Sequence, residues 1–208
     1  MTPRAQLALA LLAIVILALA GLFGGPANPI DFSIVAAGVR LRAGPALLTE
    51  APAALSLLGN AIVLLPLAAL VTLALLFAGR RRAALLLAVT VIAERLLLDG
   101  LKLLIARPRP DLAEHPVMTH SFSFPSGHAA NTMTVLVAIA LFALPRRHRG
   151  WSVPAAVGLA ALVGMTRPWL GVHWPSDVLG GWMLALLAIL AAVAAERALN
   201  ARRAPAEA

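Results

Sequence analysis

The 208-residue chain has no cysteine, a single lysine and few charges of any kind. Without cysteine there can be no disulfide, no thiolate metal site and no cysteine nucleophile. Charged residues make up 12% of the chain, against roughly a quarter in soluble domains. Hydrophobic residues make up 61%. That balance excludes a soluble fold with an ordinary surface. Internal repeats and a separate polar domain are also lacking, so residues 1–208 read as a single transmembrane domain. The formal net charge is +8. On a soluble protein it would point to nucleic acid. Here most basic residues lie in loops between apolar runs, so the lipid bilayer and its anionic headgroups are the natural partner and no nucleic-acid partner is expected.

Six apolar stretches are long enough to cross roughly 30 Å of hydrocarbon as helices. They run over 6–24, 55–78, 83–105, 128–145, 151–167 and 177–196. The expected fold class is therefore all-α, a polytopic membrane protein with six transmembrane helices. Pro66 and Pro154 fall inside these stretches, where neighbouring helices can satisfy the freed carbonyls. Arg4, the apolar run after it and Ala18-Leu19-Ala20 resemble a cleavable signal peptide. An uncleaved first helix is the preferred reading, because the run continues to Phe23.

Six crossings put both termini on one side. Arg4, Arg80, Arg81, Arg82, Arg146, Arg147, Arg149, Arg197, Arg202 and Arg203 share that side. Arg40, Arg42, Arg107, Arg109 and Arg167 lie on the other. Arg95 and Lys102 fall within a stretch. The positive-inside rule then places the termini in the cytoplasm. In this arrangement Lys102 nears the outer end of the third helix, and His128 opens the fourth. Arg167 closes the fifth, and Asp177 opens the sixth. All the polar clusters meet at the outer face.

Three cations would each be expensive in lipid alone: Lys102, Arg109 and Arg167. Gathered around an anion, they offset one another's cost. Arginine's fork suits phosphate oxygens, and lysine supplies a point charge. The plainer alternative is that each one snorkels to headgroups. Pro125-Ser126-Gly127-His128 reads as a loop turning into a helix. Gly127 permits close backbone approach, and free N–H groups at a helix start bind anions. Ser126 adds a hydroxyl. His173 and Asp177 are four apart and can share a helix face. A carboxylate that accepts from one imidazole nitrogen leaves the other free as a nucleophile. Two histidines around a phosphate allow one to attack phosphorus and the other to protonate the leaving oxygen. Such chemistry requires no metal and no cofactor, because the cations supply the positive charge.

Lys102-x6-Arg109-Pro110, Pro125-Ser126-Gly127-His128 and Thr166-Arg167-x5-His173-x3-Asp177 resemble the signature of the type-2 phosphatidic acid phosphatase superfamily. That signature is K-x6-R-P, P-S-G-H and S-R-x5-H-x3-D. Every spacing agrees, and Thr166 in place of Ser keeps a hydroxyl. The motifs cover residues 102–177. The resemblance implies that His173 is the nucleophile, oriented by Asp177, with His128 as general acid. It implies that Lys102, Arg109, Ser126, Gly127 and Arg167 hold the phosphoryl oxygens. The superfamily includes soluble vanadium haloperoxidases, whose activity six membrane helices argue against.

The expectation is thus an inner-membrane lipid phosphatase with a periplasmic-facing site, working through phosphohistidine on a phosphorylated membrane lipid. Undecaprenyl diphosphate, phosphatidylglycerophosphate, phosphatidate and lipid A are the substrates that the resemblance implies. Phosphotransfer to a second lipid is the near alternative. A lipid-binding or transport protein is the alternative of a different class.

Other polar residues invite weaker readings. Arg95, Asp99 and Lys102 share a helix face, so a buried Arg95–Asp99 pair either supports Lys102 from behind or simply neutralises charge within the membrane. Glu94 has no assignment. His115 and His120 read as loop residues or headgroup contacts, and His148 as part of a cytoplasmic basic loop. The four tryptophans, Trp151, Trp169, Trp174 and Trp182, fall near expected membrane interfaces. The loop 25–50 reads either as a capping loop or as an interfacial helix. In the second case Ile30, Ile34, Val35, Val39 and Leu41 form the apolar face, with Asp31, Arg40 and Arg42 near water. Residues 202–208 read as a solvated tail.

Overall fold

Side-chain caps and prolines set several of the helix starts. Thr2 accepts a hydrogen bond from the Ala5 N–H at 3.2 Å, and Pro3 opens α1, Pro3–Phe23. Asn28 accepts from the N–H groups of Ile30 and Asp31, and Pro29 opens α2, Pro29–Arg42. In both helices proline's missing N–H falls where no partner is needed. The computed structural model describes residues 2–119 and 121–201. His120 and residues 202–208 lie outside the described residues, as do the readings made for them.

The remaining elements are α3, Leu47–Leu57; α4, Ala61–Phe77; and α5, Arg81–Ile105. They are followed by α6, Gly127–Ala138, which continues into a π-helical turn, Ile139–Ala143. A short 3₁₀ turn, Arg146–His148, leads into α7, Arg149–Trp169, and α8 is Pro175–Ala201. Every element among the described residues is helical, as the apolar patterning requires. The expected stretch 55–78 does not begin as one helix. It breaks at Gly59-Asn60, where the Asn60 side chain caps α4 by accepting from the Ile62 N–H at 3.1 Å.

α8 is the central helix: α1, α5 and α6 pack on it, while α2 and α3 cross α7. The main core lies between α4, α5 and α6, with Leu64, Leu87, Val91, Val135 and Phe142 buried together. The opposite faces point outward with large apolar side chains, among them Leu11, Ile62, Leu70, Phe77 and Leu104. Water would not tolerate so continuous an apolar surface, and lipid does. Pro3–Phe23, the Leu47–Phe77 stretch and Pro175–Ala201 are long and apolar enough to cross a membrane. The protein is a membrane protein.

The loop 25–50 is largely helical. On α2, Ile30, Ile34 and Leu41 face outward, and Arg40 is exposed. Asp31, expected near water, is instead buried at 4% exposure. Three donors hold its carboxylate there: the Gly25 N–H at 2.6 Å, the Ser176 N–H at 3.0 Å and the Ser176 hydroxyl at 2.5 Å.

Candidate active site

The ends of α5 and α7 and the starts of α6 and α8 converge on one site. α5 stops when Ala106 adopts a left-handed conformation, φ 46°, with its N–H donating to Lys102 O. One turn earlier, Lys102 is buried and its ammonium donates to the Phe122 carbonyl at 2.6 Å. Arg109, in the loop that follows, donates through Nε to Ser121 O at 2.8 Å and through Nη1 to Val172 O at 2.7 Å. Near the end of α7, Arg167 is buried, with Nη1 donating to Ser56 Oγ and Nε without a partner.

Lys102, Arg109, Gly127, His128, Arg167 and His173 all line a cavity of about 360 Å³. Arg95 and Asp99 line it too. Their ion pair forms at 2.9 Å, but the side chains are 36% and 47% exposed. They therefore stand on the cavity wall, not buried behind Lys102 as expected. Solvated pairs of this kind contribute little to stability.

Ser126 sits at the start of α6 and is completely buried. Its N–H donates to the Asp177 carbonyl at 2.9 Å, which ties α6 to α8, and its hydroxyl has no partner. Thr166 turns its hydroxyl back to Val163 O at 2.6 Å, inside its own helix. Neither Ser126 nor Thr166 is among the residues lining the cavity.

The imidazole of His173 has two distinct sides. Nδ1 lies 3.3 Å from Asp177 Oδ2 and 3.2 Å from Ser123 Oγ. Nε2 lies 3.0 Å from Arg109 Nη1. Arginine can only donate, so Nε2 is the accepting nitrogen and Nδ1 carries the hydrogen. A neutral ring with its lone pair at Nε2 is a nucleophile aimed among the cations. Burial, and then the guanidinium of Arg109, depress the ring's pKa well below the usual histidine range. The nearby Asp177 carboxylate does not reverse that balance.

Asp177 is completely buried and fully engaged. Oδ2 accepts from Ser123 Oγ at 2.5 Å and from the Trp174 N–H at 2.8 Å, and Oδ1 accepts from Arg107 Nη1 at 2.8 Å. Arg107 also donates to Ser176 Oγ and to the carbonyls of Ala20 and Gly21, and it lies 4.5 Å over the Phe124 ring. Arg107, Ser123, Asp31 and Ser176 thus form a supporting layer that the sequence reading missed. In the sequence Arg107 is one more outer basic residue, and its place two residues before Arg109 is the usable signal. Nothing in the spacing marked Ser123, Asp31 or Ser176.

His115 is a loop residue, with Nε2 2.8 Å from Pro110 O. His148 accepts from Arg147 Nε in the basic turn. Trp174, expected at an interface, is buried instead and donates to Pro108 O at 3.0 Å. The indole thereby fixes the loop that carries Arg109. Glu94 is buried with neither carboxylate oxygen hydrogen-bonded.

Comparison with known proteins bears directly on this site. A sequence model of the PAP2 superfamily matches residues 83–201, a span that includes all three motifs. Phosphatidylglycerophosphatase B of Bacillus subtilis (strain 168) is 38% identical over 145 residues, 67% of this chain and 71% of that protein. An undecaprenyl-diphosphatase of Sulfolobus acidocaldarius is 31% identical over 135 residues, and the match spans 62% of each protein. Among solved structures, a transmembrane PAP2-type phosphatidylglycerolphosphate phosphatase from Bacillus subtilis superimposes with a TM-score of 0.81 at 33% identity. That match covers 93% of this chain and 96% of the other.

Proposed function

Because this chain belongs to the PAP2 superfamily, we propose that it is a membrane lipid phosphatase whose catalytic residues are His173, His128 and Asp177. The observation that carries the reading is the position of His173. Its Nε2 faces a cavity lined by Lys102, Arg109 and Arg167, while its Nδ1 is held by Asp177. A protein that merely bound or carried an anionic lipid would need the cations but not the oriented imidazole.

In the proposed reaction the lipid phosphate enters the cradle and displaces Arg109 from Nε2. Nε2 attacks phosphorus, the bond from phosphorus to the lipid-side oxygen breaks, and His128 gives that oxygen a proton. Water then attacks the phosphohistidine and loses its proton to His128. Inorganic phosphate leaves and His173 returns to its neutral form. Three cations stabilise charge on the equatorial oxygens where other phosphoryl-transfer enzymes use magnesium. Arg167 lines the cavity and its buried Nε has no partner, so it has hydrogen-bonding capacity to spare for those oxygens.

The proposed topology has six crossings, cytoplasmic termini and a site at the outer face of the inner membrane. The arginine distribution supports it. A substrate with its phosphate at headgroup depth and its tail in the bilayer fits such a site. The relatives' names point to phosphatidylglycerophosphate and undecaprenyl diphosphate as the first lipids to try. The test is phosphate release from a panel of phosphorylated lipids, with EDTA present, by purified wild type and His173→Ala. Wild type is expected to release phosphate and to form an acid-labile phosphoenzyme, and His173→Ala to do neither. Full release by His173→Ala would overturn the mechanism. No release by wild type from any lipid would favour a binding protein.

A further inference from the structure

A second polar cavity, of about 240 Å³, lies at the other end of the helices. The start of α5, the end of the π-helical turn, the start of α7 and the end of α8 enclose it. Arg80, Arg82, Arg146 and Arg149 line it with one carboxylate, Glu196. Glu196 is shared, 3.8 Å from Arg146 and 3.6 Å from Arg149. Arg80 is committed to the carbonyls of Ala143 and Phe142 at 2.6 and 2.8 Å. Arg149 donates one bond to Leu141 O, but its Nε is buried without an acceptor. Arg82 is exposed. Four guanidiniums against one carboxylate leave an excess of three positive charges.

This cavity shares Leu86 and Leu199 with an apolar groove of about 580 Å³ between α5 and α8. Ala188, Ala191, Ala192 and Ala195 give α8 a flat floor there, and Leu85, Val89, Leu97 and Leu187 stand along the groove. From Leu85 to Leu97 it runs about 18 Å along α5 at helical rise, close to the depth of one leaflet of a bilayer core roughly 30 Å thick.

A cationic pocket continuous with an apolar groove one leaflet deep has the form of a single amphiphile. We infer that it binds an anionic phospholipid of the leaflet opposite the phosphate cavity. The headgroup phosphate lies against Arg82, Arg146 and Arg149, and an acyl chain lies along the alanine floor. Guanidinium forks match phosphate oxygens, and Arg149 Nε gains its missing acceptor. A zwitterionic lipid is disfavoured because its ammonium group would meet the excess positive charge. Bound lipid would join α5, α7 and α8 at the end away from the chemistry and stabilise the folded state by mass action. The site uses none of the residues of the phosphate cavity, so the inference stands independently of the catalytic proposal.

Native mass spectrometry of the full chain tests it, with phosphatidylglycerol and phosphatidylcholine titrated separately. Wild type should hold one phosphatidylglycerol in clear preference to phosphatidylcholine. Arg82→Gln with Arg146→Gln should weaken phosphatidylglycerol about tenfold or more, since each arginine near a charged headgroup contributes appreciably. Ala191→Trp, which fills the groove, should lower its affinity with all the arginines intact. Cooperative thermal unfolding in detergent at a midpoint close to that of wild type would show that both variants fold. Equal affinity for the two lipids in wild type would overturn the site. So would unchanged phosphatidylglycerol affinity in either folded variant.

Discussion

Arg107 is a cation with almost no access to water, and every contact it makes is structural. It reaches Asp177 and Ser176 at the start of α8 and two carbonyls at the end of α1. Removing one partner of a buried ion pair leaves the other charge uncompensated, at a cost of about 3–5 kcal/mol. Arg107→Gln should therefore lower stability and let Asp177 shift from His173. Displacing a reacting group by about an ångström costs roughly a hundredfold, so kcat should fall by tens- to hundredfold on this estimate, with KM little changed. The ¹⁵N resonances of His173 supply a readout that plain destabilisation would not move. In wild type the ring's pKa is depressed by burial and Arg109. Protonation is thus disfavoured, and the ring stays neutral as pH falls through the ordinary histidine value of about 6.5. The proposed nucleophile would be lost only at more acid pH. A wild-type ring that titrates near that ordinary value, or an Arg107→Gln enzyme with unaltered kcat and tautomer, would contradict the assignment.

At the scale of elements, glycine decides how closely α8 approaches the start of α6. A Cβ on Gly181 would lie 2.6 Å from Ser126 O and 3.1 Å from Ala129 Cβ. Neither neighbour is a flexible side-chain tip, so backbone would have to move. Gly181→Ala should lower the thermal midpoint and phosphate release together, since overpacking costs about 1–3 kcal/mol. Gly158, inside α7, has nothing within 4 Å of a Cβ, so Gly158→Ala should raise stability by up to about 1 kcal/mol through helix propensity. Thermal unfolding in detergent, with activity measured alongside, checks both; a Gly181→Ala protein as stable and active as wild type would refute the close approach. A Cβ on Gly59 would likewise lie 2.5 Å from Val163 Cγ1, at the break between α3 and α4. The chain is apolar on both sides of that break, which hides it from hydropathy. Hydropathy measures the solvent and says nothing about where a helix is interrupted within it.

For the whole molecule, the absence of cysteine makes topology directly testable. Met118 is 84% exposed in the loop between α5 and α6, and Gly150 is exposed at the start of α7. In intact cells a membrane-impermeant maleimide should label Met118→Cys but not Gly150→Cys, which should react only after permeabilisation. Labelling of both in intact cells, or the reverse pattern, would overturn the orientation. No native thiol competes in either experiment.

Composition alone determined that the chain is helical and belongs in a membrane, because both follow from the poverty of charge and the length of the apolar runs. The likeness of three short motifs to one family signature determined which cations and imidazoles to gather, although Arg109 and His173 lie outside any helix. Tertiary structure alone decided what holds those groups in place. Arg107 finds Asp177 across 70 residues and Ala20 across 87, and Arg167 finds Ser56 across 111. Packing also buried Asp31 and Trp174, turned Thr166 back into its own helix, and set the Arg95–Asp99 pair on the cavity wall. A buried polar group takes whichever partner the packed helices bring within reach. That partner is a property of the assembled bundle, and no local pattern in the chain encodes it.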